Sequence, residues 1–358
     1  MKPEIGSEFW TGCTPLDGTG VTQLMPAGMD TRYTLCGRTA LELVLRDAMA
    51  QRQLRKAYLP SYCCHTMIEP FVAKGITVEF YDVFFTDTGI GCTFTEENDC
   101  DLIYLMDYFG FRNETTPRLA KQQRALGKCV VYDATHALFC KNMDYSNCDY
   151  VFGSFRKWFN VNAGFCAKAG TWIRFPSLRQ NREYWQQRNT AFDQKQAYMT
   201  GASVEKDAFL QAFSHAEESL EKDYIGYAPD DTSLQFLKTV NVEYIRKKRR
   251  ENATFVIGAI NNLRLSYIVS PYKTVRAEDC PLFVPLQVNS SMRTILRRKL
   301  IDNQIYLPIH WTVSKIHSLT DTSEGLYNCE LSCLCDQRYR ITDMKRMLDT
   351  MRSVTENG

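Results

Sequence analysis

Val151–Lys168 reads VFGSFRKWFNVNAGFCAK, and the chain is organised around Lys157 near its middle. Two short apolar runs, Asp149–Gly153 and Ala163–Ala167, flank the lysine and predict strands. Phe155, Trp158 and Phe159 are its neighbours in sequence, so the expected setting is partly desolvated. Burial strips water from an ammonium group and lowers its pKa, and the neutral amine then attacks carbonyl carbon. Upstream, VVYDATHAL at Val130–Leu138 places Asp133 at the end of a β-branched run. An α/β sheet presents its ligand-facing residues at that position.

Taken singly, each residue has an ordinary explanation. An isolated lysine is usually a solvated surface charge, and an aspartate after a strand is commonly a helix N-cap. Their order, with a strand-like segment between them, is more informative. A lysine to hold an aldehyde and an aspartate to hold a pyridinium nitrogen are the two residues a pyridoxal phosphate (PLP) site needs most.

With these residues in place, the chain resembles the DegT/DnrJ/EryC1/StrS family of PLP-dependent aminotransferases of fold type I, often called sugar aminotransferases. GRTALELVL at Gly37–Leu45 is similar to the family's phosphate-binding turn and helix. Leu59–Val83 looks like its segment from a cofactor-ring residue to the next strand. LIYLMDYFG, VVYDATHA, FGSFRK and the closing ELSCLCDQRYRITDMKRMLDTM follow in family order. The implied fold class is α/β: a large domain with a mostly parallel, mixed sheet, plus a small C-terminal α+β domain.

A phosphate ester needs backbone N–H donors at a helix N-terminus and hydroxyl groups. Gly37, Arg38 and Thr39 open a helix and meet that need, and the resemblance adds the Ser154 hydroxyl. It also implies that Asp133 pairs with the pyridinium nitrogen, that Thr135 underlies the ring and His136 lies at its edge, and that Lys157 forms the Schiff base. Outside the resemblance, Thr39 reads as a capping residue and His136 as a hydrogen-bonded core histidine. The position that commonly carries a ring-stacking aromatic is Cys64, which leaves Tyr62 or His65 to supply that contact. Tyr132 stands where Glu is usual, the Gly-rich turn after the lysine shrinks to Asn162–Phe165, and the GYN motif becomes Gly226–Tyr227–Ala228. LPIHWTV at Leu307–Val313 resembles the substrate-side loop, with His310 and Trp311 facing the entrance; Trp311 filling a domain interface is an equally good reading.

The 358 residues suit one large domain plus a smaller one. Boundaries are expected at an arm over 1–35, a PLP-binding domain over 36–235, and a long helix with the small domain over 236–358. With 43 basic and 41 acidic residues and a net charge of +2, no global field attracts nucleic acid or a membrane surface. Fourteen cysteines are scattered through a long chain whose polar start lacks a secretory apolar stretch, so a reduced, cytoplasmic protein without disulfides is expected. Cys329, Cys333 and Cys335 lack metal-ligand spacing, and no metal is expected.

The periodicity predicts a helix from Arg38 to about Gln53 and strands at Lys56–Leu59, Thr77–Val83, Leu102–Tyr108 and Cys129–Asp133. Helical stretches fall at 64–74 and 116–126. Ser233–Leu263 reads as one long helix whose basic run, Arg246–Arg250, lies on a solvated face. Leu282–Val288 and Ile305–Ile309 read as strands, and Met292–Asn303 and Ile341–Arg352 as helices.

The leading expectation is an aminotransferase that moves an amino group from an amino acid, with glutamate the expected donor, to a keto group, by resemblance that of a nucleotide-linked sugar. A PLP-dependent sugar dehydratase of the same fold is the second reading, although that branch carries histidine at the lysine position. A non-catalytic regulatory or scaffold protein is the third. A homodimer with shared sites is expected, because Phe9, Trp10 and Tyr33 have no evident place in one subunit's core.

Overall fold

Eight strands form one sheet in the order Asp30–Thr34, Gly164–Lys168, Tyr150–Ser154, Cys129–Asp133, Leu102–Met106, Lys56–Pro60, Thr77–Thr86 and Gly89–Thr93. The structure is a computed structural model and describes residues 3–95, 98–263 and 265–354. The central five strands run parallel, and the outer pairings are antiparallel. LIYLM at Leu102–Met106 and CVVYD at Cys129–Asp133 are buried at every position, as strands covered on both faces must be. The helix Gly37–Gln51 covers Tyr150–Ser154 and Gly164–Lys168, burying Ala40, Leu41, Val44, Leu45 and Ala48.

That helix also carries Asp47, which is fully buried in the layer beneath it. Lys168 Nζ approaches its Oδ2 at 2.7 Å, the Tyr150 hydroxyl donates to the same oxygen at 2.7 Å, and the Ile173 and Arg174 N–H groups donate to Oδ1 at 2.7 and 2.8 Å. An ion pair removed from water survives only with its remaining lone pairs satisfied in this way.

A second sheet joins Ile268–Val269, Val284–Val288 and Glu330–Cys333 antiparallel, and the helices Ser290–Asp302 and Ile341–Ser353 pack near it. The loop after Leu102–Met106 meets this region at Gly110, whose φ of +79° suits glycine and whose absent Cβ would fall 2.0 Å from the Cys280 carbonyl oxygen. Cys280 N–H donates to Gly110 O at 3.0 Å and Leu282 N–H to Phe109 O at 2.8 Å.

Several expectations are corrected. The long helix is two, Asp231–Thr239 and Val242–Leu263, because Asn241 turns its side chain back to accept from Tyr244 N–H at 2.9 Å. The basic run is not a solvated face throughout, since Arg249 is fully buried and donates to Leu282 O at 2.9 Å. Ile305–Tyr306 is a two-residue strand, and it pairs in parallel with Ile5–Gly6. The aperiodic first 35 residues therefore supply two strands, the second of them, Asp30–Thr34, forming an edge of the main sheet. Phe9 is buried, with the Arg338 guanidinium 4.1 Å above its ring, and Trp10 and Tyr33 are half-buried against the same core, so these aromatics have a place within one subunit.

All fourteen cysteines are free. Among the described residues no cluster has metal-ligating composition, and no helix is long and apolar enough to cross a membrane.

Candidate active site

A cavity of about 1070 Å³ opens where the carboxyl ends of the parallel strands meet the second sheet's loops. Gly37, Arg38, Cys64, His65, Asp133, Thr135, His136, Ser154, Lys157, His310 and Trp311 all line it. Open α/β sheets place ligands at this edge. Two of the residues singled out in the sequence lie elsewhere. Thr39 is fully buried, its hydroxyl donating to Tyr224 O at 2.7 Å, and Tyr62 is enclosed between Trp311 and Tyr327.

Asp133 ends its strand with Oδ1 accepting from Thr135 N–H at 2.8 Å and Oδ2 from the Tyr104 hydroxyl at 2.6 Å. Burial pushes its pKa up, against the opposing pull of those donors and of the Lys157 charge. Thr135 is tied down on three sides, its hydroxyl oxygen also accepting from Ser154 N–H at 3.2 Å and its carbonyl from the Trp158 indole at 2.7 Å. The Ser154 hydroxyl has no partner among the described residues and lies beside the start of the Gly37 helix. A Cβ on Gly37 would stand 3.2 Å from that of Ser154, so glycine keeps this corner open. The N–H groups of Gly37 and Arg38 also lack partners there, two of the first-turn donors that a helix does not satisfy internally. Cys36 Sγ instead accepts from Thr39 N–H.

Lys157 closes a one-turn helix, Phe155–Lys157, directly after the Ser154 strand. The aromatic residues expected to desolvate it point the other way. Phe155, Trp158 and Phe159 are all within the core, while Lys157 is exposed to the open cavity. Its charge acts on Asp133, His136, His310 and Glu217.

His136 is enclosed and stacks on Trp311, with centroids 5.5 Å apart and planes at 27°. Burial, with a smaller push from Lys157, lowers its pKa to about 3. The same two causes and His136 itself hold His310 neutral. Cys64, half-buried, has its sulfur 3.0 Å from the Thr66 hydroxyl, and His65 is exposed.

The sequence did not mark the charged group beside Lys157. Glu217 pairs with Arg156 and with Arg188, whose Nη1 lies 2.5 Å away, and Arg188 is itself held by Asn162 Oδ1 at 3.1 Å. Glu217 and Arg188 fall on separate helices, Lys206–Lys222 and Arg182–Met199, so only their packing brings them to the cavity.

No family model matches the chain, and no curated protein matches it in sequence. Solved structures do match. Helicobacter pylori PseC, an aminotransferase involved in the biosynthesis of pseudoaminic acid, superposes over 99% of this chain and 94% of its own, with a TM-score of 0.65 and 12% identity. The chain has the fold-type I aminotransferase fold. S. venezuelae DesV shares it over 100% of this chain and 91% of its own, with a TM-score of 0.64 and 13% identity. NtdA from Bacillus subtilis, solved with bound cofactor PMP, matches over 91% and 73%, with a TM-score of 0.61 and 12% identity. Within this fold Asp133 and Ser154 end two neighbouring parallel strands, and Lys157 follows on the turn after the second.

Proposed function

We propose that this cavity is the active site of a PLP-dependent aminotransferase of the DegT/DnrJ/EryC1/StrS type. The observation that carries the reading is the convergence, in one cavity, of a carboxylate, an amine and an open helix N-terminus with a free hydroxyl beside it. The residues fit the cofactor. Gly37, Arg38 and Ser154 offer two unpaired N–H groups and a hydroxyl to a phosphate, Asp133 offers a buried carboxylate to a pyridinium nitrogen, and Lys157 offers an accessible amine to an aldehyde.

When bound, the cofactor supplies a carbonyl for the amine and a ring that takes up the electron pair left at the substrate carbon. Asp133 keeps the ring nitrogen protonated, with Tyr104 and Thr135 fixing the carboxylate's direction. With the cofactor in place, the free Lys157 amine would take the proton from the substrate α-carbon and return it at the cofactor's aldehyde carbon, two atoms along. Glu217 and the two arginines that hold it keep that side of the cavity polar.

The amino donor we propose is glutamate, and the acceptor a keto group on a nucleotide-linked sugar. The resemblance in the motifs supports this choice, as do two further solved structures of this fold, DesI in the presence of its TDP-sugar product and the sugar aminotransferase CalS13 from Micromonospora echinospora. We also propose that the working unit is a homodimer. Leu210 and Ile301 line the cavity yet remain 37% and 41% exposed, which suits a rim covered by a second subunit.

Reconstitution with pyridoxal phosphate tests the reading. A visible-edge absorbance band that shifts on adding glutamate is expected, and borohydride followed by peptide mapping should leave a pyridoxyl label on Lys157. A colourless protein, or a label on another lysine, defeats it.

A further inference from the structure

His136 and His310 face the cavity as edge-to-face neighbours, with ring centroids 5.9 Å apart and planes at 82°. Their hydrogen bonds fix different tautomers. Phe109 N–H donates to His136 Nδ1 at 3.2 Å, so that nitrogen carries no proton and the neutral ring is protonated on Nε2. At His310 the order is reversed. The Ser332 hydroxyl donates its single proton to Glu330 Oε1 at 2.5 Å, so its oxygen, 2.7 Å from His310 Nδ1, can only accept. His310 therefore carries its proton on Nδ1. The other oxygen of the same carboxylate accepts the His310 backbone N–H at 2.8 Å, which fixes both ring and backbone to Glu330. Neither Nε2 has a partner among the described residues.

We infer that the two imidazoles form a donor and acceptor pair, His136 offering Nε2–H and His310 an unprotonated Nε2, and that His310 accepts from a hydroxyl of the keto substrate. Glu330 and Ser332 are positioning residues acting through it. A neutral hydroxyl is the fitting donor because Phe109, Phe283 and Trp311 surround the His310 ring and the Lys157 charge bears on the site, which disfavours a cation. The hydroxyl's identity rests on the reading of the cavity given above, whereas the tautomers do not.

Long-range proton–nitrogen correlation spectra of histidine-labelled, cofactor-free protein at pH 8 decide this. Burial pushes Glu330 to about 7, so its carboxylate is ionised there and accepts only. Among the histidines with hydrogen-bonded rings, His136, His310 and His317, His310 alone is expected as Nδ1–H, since His317 Nδ1, like that of His136, accepts a backbone N–H. The signal should vanish in His310→Asn, revert to Nε2–H in Ser332→Ala and persist in Ser332→Thr. An Nε2–H signal from His310 in the unaltered protein overturns the pair. Titration with thymidine diphosphate glucose should move the His310 Nε2 resonance, and a resonance unmoved at millimolar probe overturns the hydroxyl assignment. A protein with Nδ1–H at His310 that forms no absorbance band with pyridoxal phosphate keeps the tautomer pair and removes the transamination reading.

Discussion

Tyr104 and Asp133 lie on adjacent parallel strands, and the phenol donates to the carboxylate at 2.6 Å inside the sheet's covered interior. The carboxylate is aimed before any ligand arrives. Hydrogen bonds to a charged group contribute about 1.5 to 3 kcal/mol, so Tyr104→Phe should lower unfolding stability at pH 7 by about that amount. The sign follows from Asp133's raised pKa: ionisation already costs folding stability as pH rises, and losing the donor enlarges the cost. Urea midpoints at pH 7 measure it, and an unchanged midpoint contradicts it.

Asp133→Asn should bind pyridoxal phosphate yet slow the half-reaction with glutamate, by about a hundredfold or more if proton removal depends on a protonated ring. The phosphate contacts at Gly37 and Ser154 do not involve this carboxylate. Single-turnover rates at the unaltered level would count against the assignment.

Lys157→Ala should abolish the absorbance band and the borohydride label while changing stability by less than about 0.5 kcal/mol, because an exposed side chain is removed. Thermal melts of the cofactor-free proteins separate the two effects. A large fall in melting temperature would give the lysine a structural role instead.

Asp47→Asn should cost about 3 kcal/mol or more by leaving Lys168 buried without its counter-charge. Hydrogen bonds from Lys168, Arg174, Tyr150 and Ile173 outweigh burial and hold Asp47 below its usual pKa of 3.8. A depressed carboxylate contributes stability above its unfolded pKa and loses it as pH falls through the folded one. The unaltered protein should therefore lose part of its stability below about pH 4, and the variant should lose less over that window. Denaturation curves at pH 3 and pH 6 provide the comparison.

The parallel strands were legible because Leu102–Met106, Val130–Asp133 and Asp149–Gly153 are largely apolar runs of strand length, and the positions of Asp133 and Ser154 follow from where the second and third of them stop. The break at Asn241 was also readable, since an Asn after β-branched Val240 and shortly before Glu243 is an N-cap signal. It was obscured by the apolar periodicity on either side. Setting Lys157 among aromatics misled, because neighbours in sequence on a tight turn point to different faces. His310 was read from LPIHWTV, but Glu217 with Arg188, and the link of Glu330 and Ser332 to His310, carried no local pattern. Each consists of residues from separate segments whose meeting depends on packing.

Gly6 N–H donates to the Tyr339 hydroxyl at 2.7 Å, and Arg338 donates to the carbonyls of Ser7 and Glu8 at 3.0 and 2.9 Å. Ser7, Glu8, Phe9 and Arg338 all line the cavity. During synthesis at about 5 to 20 residues per second, residues 5–9 emerge roughly 17 to 66 seconds before the residues that receive them. One wall of the cavity is therefore missing until Arg338 is made, and a ribosome stalled ahead of it would carry every strand of the main sheet while residues 5–9 still lacked the partners that seat them.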